Sequence, residues 1–401
     1  MISGRLFMEK RESGDCWMEK LNALRGEIDQ IDQELAQLFL RRLDMAEQIG
    51  AYKQQAGLPA LDQRRELQVI QNASQLTADE GRKLELAKLF ENILALSRRQ
   101  QRLKAAGGVP GEGFRQYKRA LERLRQPVEH PRVVYQGEPG AYSEMACIDY
   151  FGPDCQCVGL KQFDDVFQEV AEGRADYGVV PIENSSTGGI RQVYELLGEY
   201  EHFVVGENTV KVEHCLMAPH GATLDTITHV YSHEQGLFQC DRFLKQHPDW
   251  VQVPFGDTAG SGKYVAQTGD LTKAAICSSR AAQLYGLDIL VQGVNYNNNN
   301  TTRFVVVSPK MELRPGVDKI SAVLSLPHEV GSLNEVLTIF AIHGLNLVKL
   351  ESRPMPGHSW EYLFFVEFTG SLLAPGMDAA LQELSQVCSQ LRIMGNFKSN
   401  L

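Results

Sequence analysis

One apolar stripe near the start of the chain constrains the fold more than any other feature. Apolar side chains recur at alternating intervals of three and four residues, which is the period of one face of an α-helix. The stripe consists of Leu21, Leu24, Ile28, Ile31, Leu35, Leu38, Met45 and Ile49. The position that completes the series is Arg42. A charge in an apolar seam is costly unless it is paired, so Arg42 requires an acidic side chain or a bound anion.

A second cation shares this face. Lys53 follows Arg42 by eleven residues, which turns it to within about 20° of the same direction on an ideal helix. Either cation alone also fits a simpler arrangement, in which the stem packs and the charged head reaches water. A helix from Trp17 to Gln55 is about 58 Å long, too long to be covered within one short domain. The spacing therefore predicts packing against a second chain, hence a homodimer or higher homo-oligomer.

Two shorter helices follow, and polar residues again occupy seam positions. Asp62, Arg65 and Glu66 open the second helix. The third helix continues its apolar stripe into Ser97 and Gln101. The three helices together therefore carry cations and amides on faces that are otherwise apolar.

These segments resemble the all-helical chorismate mutases. The similarity is carried by ALRGEIDQIDQELAQLFLRRLDMAEQIGAYK, DQRRE and SRRQQ. It implies an all-α domain in which Arg42 and Arg25 of a partner chain bind the two carboxylates of chorismate. It also implies that Lys53 and Gln101 hydrogen-bond the ether oxygen and Glu66 the ring hydroxyl. The shell is completed by Asp62, Arg65 and Ser97. The reaction of these enzymes is the rearrangement of chorismate to prephenate. It requires that the substrate be held in one conformation with hydrogen-bond donors at the ether oxygen, and it needs no acid, base or nucleophile.

Length and composition bound the domain organisation. A chain of 401 residues is expected to form two or three domains at roughly 150 residues each. The expected segments are a helical domain at 17–105, a linker at 106–131, an α/β domain at 132–310 and an α+β domain at 318–397. In the linker, AAGGVPGEG indicates a flexible break, and FRQYKRALERLRQ a basic amphipathic helix that is solvated or packed.

Charge and cysteine usage exclude several classes of protein. The net charge of −10 argues against nucleic-acid binding, and no run approaches the roughly 18 apolar residues of a membrane helix. Eight scattered cysteines without a CxxC pair, in a chain whose N-terminus has no signal-peptide core, indicate reduced thiols in a cytoplasmic protein. The ten histidines show no metal-ligand spacing, so we expect no metal and no cofactor. If the ligands are small dicarboxylates, the net negative charge of the protein repels them. We therefore expect lysine and arginine side chains to be concentrated in the ligand site.

The segment 132–310 alternates apolar strands with helices, which predicts two α/β lobes with mostly parallel sheet. RVVYQGEPGAYSEMAC runs from a strand through a glycine turn into a helix, and DYGVVPIENSSTGGIRQVYELL repeats that plan. Both place free backbone N–H groups at a helix N-terminus, which is a natural seat for an anion. A GxGxxG dinucleotide fingerprint is absent.

Four motifs in this segment resemble prephenate dehydratase: QGEPGAYS, VVPIENSSTGG, YSHEQGLFQC and NTTRF. Prephenate loses carbon dioxide and its ring hydroxyl together, so the site has to offer a hydrogen-bond donor to the departing hydroxide. The resemblance implies that this donor is Thr302 and that Arg303 binds a carboxylate. It also implies a polar shell around the substrate. That shell comprises Glu183, Asn184, Ser186, Thr187, Gly188, Ser232, Gln239 and Asn300.

Two positions depart from the family pattern. Glu234 stands where the family commonly has proline, and Gly256 stands where it often has an acidic residue. Asp257 is adjacent to the second of these positions. The departures concern the wall of the cleft and not the reaction.

The last segment has the order β-α-β-β-α, with LRIMGNF as a closing strand. This order resembles an ACT domain, an α+β ferredoxin-like fold, and implies an L-phenylalanine sensor. The implied ligand residues are Gly331, Ser332, Leu333 and Asn334, followed by Glu351, Ser352, Arg353 and Pro354. Ser332 and Asn334 depart from the Gly-Ala-Leu-Val run of related dehydratases. We expect phenylalanine to bind between paired ACT domains and to favour a low-activity state. A purely structural dimerisation module is the alternative.

The sequence thus predicts a multidomain enzyme that converts chorismate to prephenate and then to phenylpyruvate. Three other hypotheses stay open. In the first, the dehydratase acts on arogenate instead of prephenate. In the second, the chain is a non-catalytic amino-acid sensor. In the third, the helical segment is a structural adaptor. Intact Thr302 and Asn184 argue against the sensor. Arg42 opposite Ser97 and Gln101 has no purpose in an adaptor.

Overall fold

The computed structural model describes residues 3–58, 61–105, 109–297, 299–355, 357 and 360–400. The chain divides into two compact units, Met1–Pro110 and Gly111–Leu401, and each is described by itself. No helix in the described part is long and apolar enough to cross a membrane. The described His, Cys, Asp and Glu side chains form no group of three or more that could hold a metal ion.

Three helices form the first unit: α1 (Ser3–Gln55), α2 (Gln63–Ser74) and α3 (Glu80–Ala105). α1 has 53 residues, so it is about 80 Å long. α2 begins at Asp62, whose side chain accepts a hydrogen bond from the backbone N of Arg65 at 3.0 Å. α1 and α3 touch closely at Gly50, because a Cβ there would lie 2.8 Å from Cγ of Gln101. The predicted all-α domain is confirmed.

α3 covers α1 only along its C-terminal part. The contacts between the two helices begin near Arg42, whereas every residue from 17 to 38 is exposed. That stretch carries most of the apolar stripe, and Ile31 and Leu38 are 55% and 62% exposed. Large apolar side chains in a continuous row are rarely left in water. The stripe is therefore an exposed apolar surface of the first unit.

The second unit begins with α4 and then alternates strands and helices. Its helices are α4 (Glu112–Glu122), α5 (Tyr142–Phe151), α6 (Phe163–Ala171), α7 (Arg191–Glu199), α8 (Glu234–Gln239), α9 (Asp241–Leu244), α10 (Thr258–Thr268), α11 (Ser279–Tyr285), α12 (Ser332–Ile342) and α13 (Met377–Val387). Its strands are β1 (Val133–Gln136), β2 (Cys157–Leu160), β3 (Tyr177–Asn184), β4 (Gly188–Gly189), β5 (Phe203–Lys211), β6 (His214–Ala218), β7 (His229–His233), β8 (Val251–Phe255), β9 (Lys273–Ser278), β10 (Asp288–Val291), β11 (Thr301–Ser308), β12 (Lys319–Ser325), β13 (Leu347–Pro354), β14 (Tyr362–Thr369) and β15 (Gln390–Phe397). They build three sheets.

Two of the sheets form the predicted α/β lobes, in the orders β2-β1-β3-β11-β5 and β10-β6-β9-β7-β8. The expectation of mostly parallel sheet is wrong. β1 is parallel to β2 and β3, but β11 is antiparallel to both β3 and β5. The chain leaves the first lobe after β5, builds the second lobe and returns as β11, which enters the first sheet in the opposite direction. This return places the NTTRF motif between β3 and β5, inside the sheet.

The third sheet has the order β13-β14-β12-β15, with antiparallel neighbours. α12 and α13 complete the order β-α-β-β-α-β, so the predicted ACT-like fold is confirmed. α4, the basic helix of the expected linker, packs into the same core through Phe114 and Tyr117. The Tyr117 hydroxyl also donates to the carbonyl of Leu372 at 3.1 Å. The predicted helix of the linker is thus packed against the third sheet, and residues 123–131 after it form no regular element; residues 106–108 lie outside the described residues.

Phe114→Ala tests the packing of α4. Truncation of a buried phenylalanine removes apolar contacts and leaves a cavity, so we expect a loss of about 3–5 kcal/mol in the free energy of unfolding. Gln116→Ala, an exposed position on the same helix, is the matched control and should cost less than about 0.5 kcal/mol. Urea unfolding of the full chain measures both. Equal midpoints for the two variants would show that α4 is a free connector.

Candidate active sites

The polar seam residues of α1 and α3 meet in the first unit. Nη1 of Arg42 donates to Oγ of Ser97 at 2.5 Å, and that oxygen donates to the carbonyl of Ile93 at 2.8 Å. Burial lowers the pKa of Arg42, and the charge of Glu66 partly offsets this. Because its direct partner Ser97 is neutral, the Arg42 guanidinium retains its capacity to pair with an anion.

The other predicted mutase residues surround this pair to different degrees. Glu66 is half-buried and forms an ion pair with Arg98. Gln101 is 9% exposed, and its Oε1 has no hydrogen-bond partner. Lys53 is half-buried on α1, while Asp62 and Arg65 lie at the exposed start of α2. A buried amide oxygen without a partner is costly, and because this atom is an acceptor, only a hydrogen-bond donor could satisfy it.

Arg25 lies apart from this group. It belongs to the exposed stretch of α1, and its Nη1 reaches Oδ1 of Asn22 at 3.5 Å. The distance from residue 25 to residue 42 along a helix is about 25 Å. Arg25 and Arg42 of one chain therefore do not share a site.

A cavity of about 340 Å³ separates the two α/β lobes of the second unit. Thr302 of β11 and Asn184 of β3 line it from the first lobe, and they are register partners in the sheet. His214, Gln239 and Asp257 line it from the second lobe. The cavity thus gathers residues of all four motifs of the α/β segment around one space.

A row of hydrogen-bonded carboxamides runs along the cavity wall. Nδ2 of Asn184 donates to Oγ1 of Thr302 at 2.8 Å and to Oδ1 of Asn300 at 2.7 Å. Nδ2 of Asn300 donates to Oε1 of Gln239 at 3.1 Å. All four side chains are less than 10% exposed. Since Asn184 occupies a lone pair of the Thr302 oxygen with an N–H, the hydroxyl hydrogen of Thr302 is free to point at a ligand.

The remaining predicted shell residues lie behind or beside this row. Thr187 lines the cavity, and its hydroxyl donates to Oδ1 of Asn184 at 3.3 Å. The Ser186 hydroxyl contacts Asn300 at 3.3 Å, and Gly188 pairs with Asn184 across the β3–β4 bridge. Ser232 is fully buried and donates to the carbonyl of Ile276 at 2.7 Å, so it supports the wall and does not face the cavity.

Arg303 does not join the cavity, and its expected role as a carboxylate ligand is corrected by the structure. Successive residues of a strand point to opposite faces, so the neighbour of Thr302 faces away from the ligand. Nη1 of Arg303 donates to Glu207 at 3.0 Å and to Glu367 at 2.6 Å. Burial alone would lower its pKa, but the hydrogen bond and charge of Glu367, with Glu207, raise it. Arg303 is a buried ion-pair residue beneath the site.

Glu183 leaves the cavity in the same way. Its carboxylate accepts a hydrogen bond from Nζ of Lys349 at 2.5 Å and lies 3.6 Å from Arg303. Lys349 belongs to β13 of the ACT sheet, and Glu367, the partner of Arg303, belongs to β14. The two predicted residues that miss the substrate therefore link the dehydratase sheet to the ACT sheet by buried or half-buried charges.

The expectation of cations in the site is wrong for this cavity, because no lysine or arginine is among the described residues that line it. The first residues of α5 and the N-caps of α7 and α10 line it instead. No side chain caps α5 or α7, so their first N–H groups remain available. Helix N-termini carry partial positive charge and hydrogen-bond donors. They offer an anion seat without a formal charge.

Sequence reasoning missed His214 and Tyr142 as residues of this site. Nε2 of His214 lies 3.0 Å from Oε1 of Gln239, and Nδ1 lies 3.2 Å from the Tyr142 hydroxyl. Burial lowers the pKa of His214, although the hydrogen bond with Gln239 opposes this. Burial also raises the pKa of Asp257, which supplies a carboxylate next to Gly256. A lone histidine before an apolar strand gives no signal in the sequence.

The two predicted groups of phenylalanine ligands lie on separate elements. Gly331 begins α12 with a φ of 89°, a backbone conformation that suits glycine, and Ser332, Leu333 and Asn334 form its first turn. Glu351 and Arg353 lie on the half-buried face of β13, and Ser352 and Pro354 lie on its exposed face. Arg353 pairs with Glu351 at 2.8 Å and reaches the carbonyl of Gly189 at 3.4 Å. Part of the predicted sensor motif thus contacts the dehydratase.

Three family models match the chain in order: chorismate mutase type II at residues 24–102, prephenate dehydratase at 133–312 and ACT domain at 321–386. The bifunctional chorismate mutase/prephenate dehydratase of Aquifex aeolicus is 31% identical over 388 residues, which cover 96% of this chain and 99% of the relative.

Two solved structures are similar to the second unit. A prephenate dehydratase from Arthrobacter aurescens in complex with L-Phe has a TM-score of 0.62 and 29% identity, and the match covers 67% of this chain and 90% of that one. A quorum-quenching acylase has a TM-score of 0.61 and 30% identity, with coverage of 67% and 98%. Three domain models match the chain in the same order, and a relative with 31% identity matches nearly the whole length. The chain therefore belongs to the family of bifunctional chorismate mutase/prephenate dehydratases.

Proposed function

We propose that Thr302 is the hydrogen-bond donor of the dehydratase reaction. The observation that supports this is the 2.8 Å contact in which Nδ2 of Asn184 donates to Oγ1 of Thr302. A hydroxyl has one hydrogen, and an oxygen that already accepts an N–H directs that hydrogen elsewhere. The remaining direction for the Thr302 hydroxyl is the cavity. There it meets the ring hydroxyl of prephenate as that group departs.

The reaction then needs few groups. The bond between the ring and its carboxylate breaks, carbon dioxide leaves, and the electron pair forms the new ring double bond while the hydroxyl on the opposite carbon departs. The departing oxygen takes up a proton and becomes water. Aromatisation supplies the driving force, and the Thr302 donor lowers the barrier by stabilising the charge that develops on the leaving oxygen. The product is phenylpyruvate.

We propose that the substrate carboxylates bind at the uncapped N-termini of α5 and α7. Neutral donors suit this reaction better than arginine does. A carboxylate that must leave as neutral carbon dioxide loses any ion pair it has made, so a strong pair stabilises the ground state more than the transition state. Helix N-termini hold the anion with a smaller penalty when its charge disappears.

An acylase reaction has less support from this cavity. A nucleophilic threonine needs a base that removes its proton. The partner of the Thr302 oxygen is an amide N–H, which cannot accept a proton. The contact therefore favours a donor role over a nucleophilic role.

We propose that two chains form the mutase site together, as a homodimer. Three observations support this: the apolar stripe exposed on α1, the length of α1, and the roughly 25 Å that separate Arg25 from Arg42 in one chain. An antiparallel partner helix would cover the stripe and bring its Arg25 to Arg42. The two arginines then bind the two carboxylates of chorismate, and Lys53, Gln101 and Glu66 address the ether oxygen and ring hydroxyl.

We propose that L-phenylalanine binds at the ACT motifs and inhibits the dehydratase through β13. The alternating exposure of this strand supports the route. Ser352 and Pro354 face outward, where the effector would bind, while Lys349 faces inward and pairs with Glu183. Glu183 is adjacent to Asn184, the residue that orients Thr302. A shift of β13 would thus be felt at the catalytic donor.

We propose domain boundaries at 17–105, 132–310 and 318–397, with α4 joined to the last domain through its packing. We also propose a cytoplasmic location. The seven cysteines whose side chains the structure describes are all free, as expected in a reducing compartment.

Thr302→Ala should lower dehydratase kcat by about 10²–10⁴-fold, the usual contribution of a positioned proton donor. Thr302→Ser keeps the hydroxyl and should stay within about tenfold of the parent. Conversion of prephenate to phenylpyruvate measures both variants, and mutase activity in the same samples should not change. Near-normal turnover by Thr302→Ala would exclude the assignment.

Mixing two inactive variants tests the shared mutase site. Arg25→Ala and Arg42→Ala should each lose about 100-fold or more in mutase activity. After subunit exchange in a mixture, each mixed dimer has one site with both arginines intact, so activity should recover to roughly a quarter of the parent level. The double variant mixed with itself is the control. No recovery, with exchange verified by differently tagged chains, would place both arginines outside a shared site.

Lys349→Met should weaken phenylalanine inhibition. At about 5 mM L-phenylalanine the parent dehydratase should be inhibited, on the scale of weak metabolite binding. Loss of the contact with Glu183 should raise the inhibitory concentration about tenfold, within the range of allosteric coupling energies. Activity without effector should change less than about threefold. Lys310→Met, at an exposed position, is the control. Equal inhibition of the two variants would rule out the β13 route.

A further inference from the structure

We propose that His214 is a positioning residue of the dehydratase, which fixes the Gln239 carboxamide so that its N–H groups face the substrate. This inference rests on the proposed function of the cavity. It concerns a side chain that no motif identifies. The steps follow from the directions of the hydrogen bonds along the cavity wall.

The orientation of Asn184 is fixed by a backbone N–H group. The backbone N–H of Ser186 donates to Oδ1 of Asn184 at 2.9 Å. A side-chain amide can exchange its oxygen and nitrogen by rotation, but a backbone N–H can only donate. Oδ1 of Asn184 therefore faces Ser186. Its Nδ2 must face Thr302 and Asn300, where both of its hydrogens are used.

The second step carries this polarity to the other lobe. Oδ1 of Asn300 accepts from Asn184, so Nδ2 of Asn300 points to Gln239 and donates to its Oε1 at 3.1 Å. The Gln239 oxygen is thus turned inward. Its Nε2, with two hydrogens, is the part of the carboxamide that remains for the cavity, which Gln239 lines.

The third step assigns the proton of His214. Its Nε2 lies 3.0 Å from the Gln239 oxygen, which can only accept, so this nitrogen carries the hydrogen. The ring is 3% exposed, and burial lowers its pKa, which favours the neutral form. Nδ1 is then an acceptor, and the Tyr142 hydroxyl shares its one hydrogen between this nitrogen at 3.2 Å and the carbonyl of Glu213 at 2.9 Å. Tyr142 stays protonated because burial raises its pKa.

The hydrogen bonds from Asn300 and His214 to Oε1 together fix the orientation of the Gln239 carboxamide. With Asn300 alone, the carboxamide keeps one hydrogen bond and gains freedom to rotate about its last torsion. A rotated amide presents its oxygen to the cavity, where it repels a carboxylate or the leaving hydroxide. In this proposal His214 acts through its contact with Gln239, so its effect on the reaction is indirect. A histidine that only fills space predicts no such dependence on a hydrogen-bond donor.

The experiment compares three variants of the full chain. His214→Leu removes the donor, and His214→Gln supplies an amide N–H close to the position of Nε2. Gln239→Met removes the group through which His214 acts. We expect His214→Leu to lower dehydratase kcat/KM about 10–100-fold and His214→Gln to restore it to within about fivefold of the parent. In the Gln239→Met background, His214→Leu should add less than about threefold, because the two changes act on one interaction.

Three results would overturn the inference: parent-like kcat/KM in His214→Leu, equal loss in the Gln and Leu variants, or effects that multiply in the double variant. Thermal unfolding of the second unit reports whether each variant folds, and the glutamine variant keeps the comparison informative. The outcome is separable from the proposed function. A parent-like His214→Leu beside an inactive Thr302→Ala rejects His214 alone, whereas activity in both rejects the function of the cavity.

Discussion

The backbone N–H of Ser186 is the fixed point on which the dehydratase cavity depends. Ser186 follows β3 in a turn that is pinned to β11, since the backbone N of Ser185 donates to the carbonyl of Thr301 at 2.9 Å. The direction of one immovable donor sets the orientation of Asn184, and Asn184 in turn frees the Thr302 hydroxyl. The Thr302 hydroxyl is a weak acid, but its hydrogen is directed because the Asn184 N–H occupies a lone pair of its oxygen. No ionised catalytic group is needed for this arrangement.

The two proposed sites would bind carboxylates in different ways, and the chemistry explains the difference. Chorismate keeps both carboxylates through the rearrangement, so cations such as Arg42 would stabilise the ground and transition states alike while they hold the conformation. Prephenate loses one carboxylate, and a cation paired with it would oppose the loss. Partial charges at helix N-termini suit that task. They also bind anions locally despite a net charge of −10, since the local donors are close and the global charge is screened.

The fold and part of the site follow from sequence, and the failures have physical causes. The resemblance of the motifs to prephenate dehydratase predicted Thr302, Asn184 and Gln239 at one cavity, and they lie at the start of β11, the end of β3 and the end of α8. Arg303 was assigned to the substrate although strand alternation places it opposite to Thr302. His214 gives no periodic signal. The packing of α4 depends on Leu372 and other residues more than 250 positions away, which local pattern cannot reveal.

Alternation along β11 also makes one strand serve two purposes. Thr302 faces the cavity, and Arg303 faces Glu367 of the ACT sheet at 2.6 Å. Separating these charges would leave a buried cation and carboxylates without partners, at a cost of several kcal/mol, about 3–5 for a broken buried pair. A movement of the ACT sheet therefore costs less free energy if β11 moves with it. A hydrogen bond loses most of its energy with small changes in distance and angle, so even a small shift of β11 would weaken the contact of Thr302 with Asn184. In the proposed regulation, the ion pair between the two sheets would thereby make the Thr302 hydroxyl sensitive to the state of the ACT domain.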